Sequence, residues 1–135
     1  MPDAEKIVLL LRSTLLTLND ALQTGNYTVL RDMGSPAFRE ANSAARLAQI
    51  FSNLAGWGLE LSAVSIIAPQ LTEVPTIDPH NNRLRLKGFF PGQPLQIEFE
   101  TIYEPVAGRW RLFGLWVSTT QAATPAAPPK STSKK

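Results

Sequence analysis

Between Arg83 and Val117 apolar and polar residues alternate in three runs, the pattern of half-buried strands. The runs are Arg83–Phe90, Leu95–Glu104 and Arg109–Val117, joined by the turns Pro91-Gly92-Gln93-Pro94 and Pro105-Val106-Ala107-Gly108. A register follows by arithmetic. With Phe90 opposite Leu95, Lys87 faces Glu98 and Arg85 faces Glu100. With Glu104 opposite Arg109, Tyr103 meets Trp110 and Ile97 meets Trp116. Such cross-strand pairs contribute about 0.2–1 kcal/mol each. One face then carries Leu84, Leu86, Phe90, Leu95, Ile97, Phe99, Tyr103, Trp110, Leu112 and Trp116, with Thr101 and the Tyr103 hydroxyl as its polar groups. The other carries Arg83, Arg85, Lys87, Gln96, Glu98, Glu100 and Arg111, and turns apolar at Phe89, Ile102, Phe113, Leu115 and Val117.

The apolar face needs a cover, and helices precede it. Ile7, Leu11, Thr14, Leu15, Leu18 and Leu22 recur at helical spacing over Asp3–Thr24, with Asp3 as cap and Gly25 as terminator. Val8, Leu9, Leu10 and Leu16 widen its apolar surface, as if it lay in a trough. A short helix, Tyr27–Met33, ends at Gly34. Asn26-Tyr27-Thr28 matches a glycosylation sequon, but turn chemistry explains Asn26 more simply. Ser35-Pro36 opens a third helix running to Leu54. Leu61–Ala68 and Leu71–Ile77 read as edge strands, given Pro69 and Pro75. Asp78-Pro79-His80-Asn81-Asn82 is a turn. Residues 1–118 thus form one domain, and the Ala/Pro/Lys-rich tail, 119–135, has nothing to bury and is expected to be disordered.

At 135 residues the chain is long enough to bury about two-thirds of its unfolded surface. Of 13 basic residues, Lys130, Lys134 and Lys135 lie in the tail, leaving 10 against 11 acidic ones. So neutral a body offers no footprint for nucleic acid. No run reaches the length of a membrane span. The absence of cysteine excludes disulfides and thiolate chemistry. Met1–Lys6 carries acidic residues where a secretory leader would be basic. The basic tail and lack of thiols suit an exported protein slightly better than a cytoplasmic one.

Helices followed by a long meander resemble the NTF2-like (cystatin-like) superfamily, and its small bacterial members more than its enzymes. The likeness rests on Ala21-Leu22 with Gly25-Asn26-Tyr27, on Ser35-Pro36 with Phe38-Arg39, and on Leu86, Gly88-Phe89-Phe90-Pro91-Gly92 and Pro94. Most telling is Gly108-Arg109-Trp110-Arg111-Leu112 and its continuation to Val117, since the family's strands commonly end Gly-x-Trp-Arg-Ile/Leu. The resemblance implies an α+β fold with N-terminal helices packed in the concave face of a strongly curved, mostly antiparallel sheet. That arrangement requires Leu86 and Trp116 to project from one face, with the first helix packed on it.

It also implies a pocket inside the cone. Its candidate lining is Tyr27, Phe99, Thr101, Tyr103, Trp110 and Trp116. Chemistry of the ketosteroid isomerase type needs a carboxylate base and oxyanion donors in such a pocket, but Glu98 and Glu100 fall on the outer face. The lone histidine, His80, sits in a turn. No catalytic residue, metal site or cofactor is therefore assigned. The expected function is a non-enzymatic module holding an apolar small molecule or a partner. It is expected to be a homodimer through Phe89, Ile102, Phe113, Leu115 and Val117, since an exposed apolar cluster marks an interface. The alternatives are a small-molecule isomerase or hydrolase, and a purely structural dimerisation domain.

Overall fold

The computed structural model describes residues 1–92 and 95–121. It is an α+β domain in which N-terminal helices pack against one five-stranded antiparallel sheet. Helix α1 spans Ala4–Thr24. Asp3 caps it by accepting from the Lys6 amide at 2.8 Å, and Gly25 closes it in the left-handed region at φ 78°. Leu11, Leu15 and Leu18 are fully buried on its core stripe, each contributing about 1.5–3 kcal/mol. Side chains tie a flank of α1 to the segment that follows the helices. Arg12 donates to the Val64 and Ile67 carbonyls, Gln23 to that of Leu59, and Asn19 Oδ1 accepts from the Leu61 amide.

The second helix, α2, covers Thr28–Asp32, shorter than expected. Asn26 Oδ1 accepts from the Thr28 amide, so the sequon residue is a turn former here. The expected single helix from Ser35 to Leu54 is three: α3 Pro36–Ala41, α4 Ala44–Ile50 and α5 Ser52–Gly56. Asn42 leaves the helix at φ −135°, ψ 107°, and its side chain takes the Phe38 carbonyl. Ser43 then caps the start of α4, its hydroxyl accepting from the Arg46 amide. Asn and Ser satisfy backbone groups with their own side chains, which is why the pair breaks an otherwise apolar-periodic run.

Leu61–Ala68 is not a strand. Ser62–Ser65 is a 3₁₀ helix that buries Leu61 and Val64. The informative spacing was three (Leu61, Val64, Ile67), not two. Leu71–Ile77 is replaced by two brief strands, β1 Gln70–Leu71 and β2 Thr76–Ile77, both paired with β3. Gly88 makes β1 possible, since a side-chain carbon there would overlap the Gln70 carbonyl and crowd Leu71 Cα. The turn at Asp78–Asn82 stands, with Asp78 accepting from the His80 amide.

The long strands are β3 Leu84–Phe90, β4 Leu95–Val106 and β5 Arg109–Gln121. Both registers differ from the arithmetic. In β3–β4, Lys87 faces Glu100 and Arg85 faces Ile102, a slip of two residues that leaves every side chain on its expected face. The Arg85–Glu100 ion pair survives on the diagonal. The second hairpin closes tighter, with Val106 opposite Arg109 across Ala107-Gly108 at φ 51° and 80°, so Tyr103 pairs with Leu112 instead of Trp110.

A bulge then intervenes. Tyr103 pairs with Leu112 but Ile102 with Gly114, so Phe113 is the extra residue. One added residue inverts the faces of everything after it. Trp116 lies opposite Glu100 on the outer face, 56% exposed, while Leu115 opposite Thr101 is buried and Val117 opposite Phe99 packs on the core. Leu86 and Trp116 therefore project from opposite faces, contrary to the sequence-based requirement. Leu115 and Val117 fill the place assigned to Trp116, so the apolar layer is unbroken, and α1 lies on it through Tyr103. The strand also runs past residue 118 to Gln121. The rest of the expected tail, residues 122–135, lies outside the described residues, as do Gln93 and Pro94 of the first turn.

Candidate functional site

A hollow opens on the inner side of the sheet at the end of the β4–β5 hairpin remote from its turn. At that end Leu59, Val64 and Ile67 face Phe90, Leu95 and Ile97 across this hollow of about 400 Å³. Trp57, which ends α5, stands on its rim, 67% exposed. Glu60 is also at the rim. The Ser62 hydroxyl and amide hold its carboxyl below the usual range, so it is ionised at neutral pH. A second hollow, about 670 Å³, shares Trp57 and Thr119 with the first. Ile50, Phe51 and Leu54 line it from the helices, and Phe99, Leu115 and Val117 from the inner face. Its lining also takes Lys87, Glu98, Glu100 and Trp116 from the outer face. Only the helix-side part of this lining adjoins the first hollow, through Trp57 and Thr119.

The candidates named from sequence are scattered. Phe99 is on the helix side of the larger hollow, tilted against Phe90 at 5.6 Å between ring centroids. Tyr27 is buried and stacked on Phe51, and burial raises its pKa. Tyr103 and Trp110 adjoin a third hollow of about 210 Å³ beside Thr14 and Met33. Trp116 is outside.

The Tyr103 hydroxyl is committed to structure. It lies 2.7 Å from Thr14 Oγ1, and both hydroxyls reach the Leu10 carbonyl, Tyr103 at 3.2 Å and Thr14 at 2.8 Å; with one proton apiece they share these three contacts. Burial pushes the phenol up to about 12, with the Thr14 and Thr101 hydroxyls pulling the other way. Thr101 is fully buried, and its hydroxyl, though near that of Tyr103, completes no hydrogen bond among the described residues.

Glu98 and Glu100 are on the outer face, and His80 is in its turn. Among the described residues no three His, Cys, Asp or Glu side chains converge as metal ligands. No pattern marks Leu59, and Val64 and Ile67 lie in Leu61–Ala68, whose sequence predicts an edge strand. Spacing by three was the signal that would have found the latter two. No family model, no curated protein and no solved structure matches this chain. What its own geometry defines is an α+β domain with an apolar gap between its layers.

Proposed function

We propose that the protein is a non-enzymatic binding module of NTF2-like design, its sheet curving as a cone about α1, and that it holds an apolar small molecule where the layers part. The observation that carries this is the hollow of about 400 Å³, lined by Leu59, Val64, Ile67, Phe90, Leu95 and Ile97. That is within the usual size of small-molecule sites, which are mostly apolar with few polar anchors. The base and oxyanion pair of isomerase chemistry have no counterpart among the lining residues, where Glu60 is the one carboxylate and is turned to Ser62 at the rim. A homodimer is part of the proposal. Its expected surface loses Leu115 and Val117 to the core, and Phe113 lies under Arg83 at 3.7 Å; of that surface Phe89 and Ile102 remain, both half-buried, and the exposed Trp116 joins them on the outer face.

Trp57 on the rim supplies the test. In a Trp110→Phe/Trp116→Phe variant, where Trp57 is the one remaining tryptophan, titration with a single-chain apolar probe, such as a medium-chain alcohol, is expected to shift Trp57 emission saturably. Val64→Phe, which narrows the hollow without adding a tryptophan, is expected to abolish that shift. An unsaturable signal, or one indifferent to the narrowing, would sink the proposal.

A further inference from the structure

The two edges of the sheet are treated differently. On one side β3 is covered by β1 and β2, two residues each and flanked by Pro69 and Pro75. Short strands and prolines are how proteins blunt an edge against foreign pairing. On the other side β5, 13 residues long, is the outermost strand. Among the described residues its outer edge is held at one point, where the Ser35 amide donates to the Leu112 carbonyl at 2.8 Å. Past Leu112 no described residue pairs with it.

None of the usual safeguards appears in Gly114–Gln121. The segment holds no charge and no proline, and the bulge precedes it. Alternate amides and carbonyls along it point away from β4 and have no backbone partner among the described residues. Trp116 is 56% exposed beside them, and Ser118 and Thr120 are exposed on the same outer face.

The chemistry of this edge fits a second copy of itself. Antiparallel pairing about a two-fold axis through Val117 sets Leu115 against Thr119 on the inner side and Trp116 against Ser118 on the outer. No like charges meet. The acidic positions Glu98 and Glu100 lie one strand back. In such a pair they would be three strand spacings apart, about 14 Å, beyond the screening length of roughly 8 Å at physiological salt.

We propose that β5 of one protomer pairs antiparallel with β5 of another, making one sheet continuous across the dimer and placing both Trp116 rings on a shared surface. This rests on the reading that the chain self-associates, and locates the contact at an edge instead of a face.

The test combines sedimentation of the full chain over a concentration series with hydrogen exchange across residues 115–119. The expected result is a dimer whose edge amides become protected only as it forms. Ser118→Lys/Thr120→Lys, both on exposed positions, is expected to give a monomer with unchanged circular dichroism. A wild-type chain that stays monomeric at every concentration refutes self-association itself. A dimer that survives the double variant but is lost in Glu98→Lys, in the middle of the outer face, refutes the edge and leaves a face-to-face dimer. Protection in the monomer of those amides of 115–119 that point away from β4 also overturns the edge proposal, because the chain would then cover the edge alone.

Discussion

Replacing Thr101 by valine is expected to make the protein more stable, an unusual direction for a fully buried position. The residue is 0% exposed, and its hydroxyl has no hydrogen-bond partner among the described residues. In the unfolded chain that hydroxyl is hydrated; on folding the hydration is lost, and the nearby Tyr103 hydroxyl, with which it completes no hydrogen bond, is a poor substitute for it. A buried polar group left unsatisfied costs about 1–3 kcal/mol. Valine has the same shape and suits a strand equally well, so the substitution removes the cost without opening a cavity. A gain of about 1–2 kcal/mol is expected. For a chain of 135 residues, that corresponds to a rise in Tm of about 4–8 °C. Paired urea and thermal melts of the wild type and Thr101→Val would measure it. Equal m-values would show that the native state, not the unfolded one, had changed. A loss of stability would refute the reasoning. It would mean that the hydroxyl has a partner after all, a buried water or a polar atom of a ligand, and that the interior around Thr101 and Tyr103 is a wetter place than the apolar proposal allows.

Two further predictions concern neighbouring features. The Tyr103 phenol is raised to about 12 in the folded state from about 10 when unfolded. Its stabilising contribution is therefore complete below about pH 10 and is lost as pH climbs through 12, a fall of about 2–3 kcal/mol. Tyr103→Phe should cost about 0.5–1.5 kcal/mol at neutral pH yet flatten that alkaline decline, and parallel pH profiles for the two proteins would contradict the assignment. Gly88→Ala places a methyl group on the Gln70 carbonyl. A destabilisation of about 1–3 kcal/mol with faster exchange of the Thr72 amide, which bonds Lys87 at 2.9 Å, is expected, and a neutral result would show that β1 yields freely.

Side-chain alternation was enough to find the three long strands and to assign the faces of β3 and most of β4. A slip of two residues does no harm to such an assignment, because the period is itself two. Helix α1 was equally legible, since Asp3, the leucine stripe and Gly25 are all local signals. The helical break at Asn42-Ser43 was also written locally, in two residues that bind their own backbone, but apolar periodicity on both sides concealed it. The candidate site fared worse. Phe99 reaches a hollow, whereas Thr101 and the Tyr103 hydroxyl are enclosed between α1 and the sheet.

The amino-acid sequence by itself determined the class of the fold, because hydrophobic period and turn chemistry act over a few residues and each element carries its own. What the tertiary structure decided was which way β5 faces. Phe113 bulges where the hairpin must remain paired with β4 while Ser35 holds Leu112 from the other side. No local pattern encodes that conflict. That single residue sends Trp116 to solvent and brings Leu115 and Val117 into the core, and with them it moves both the candidate pocket wall and the candidate interface.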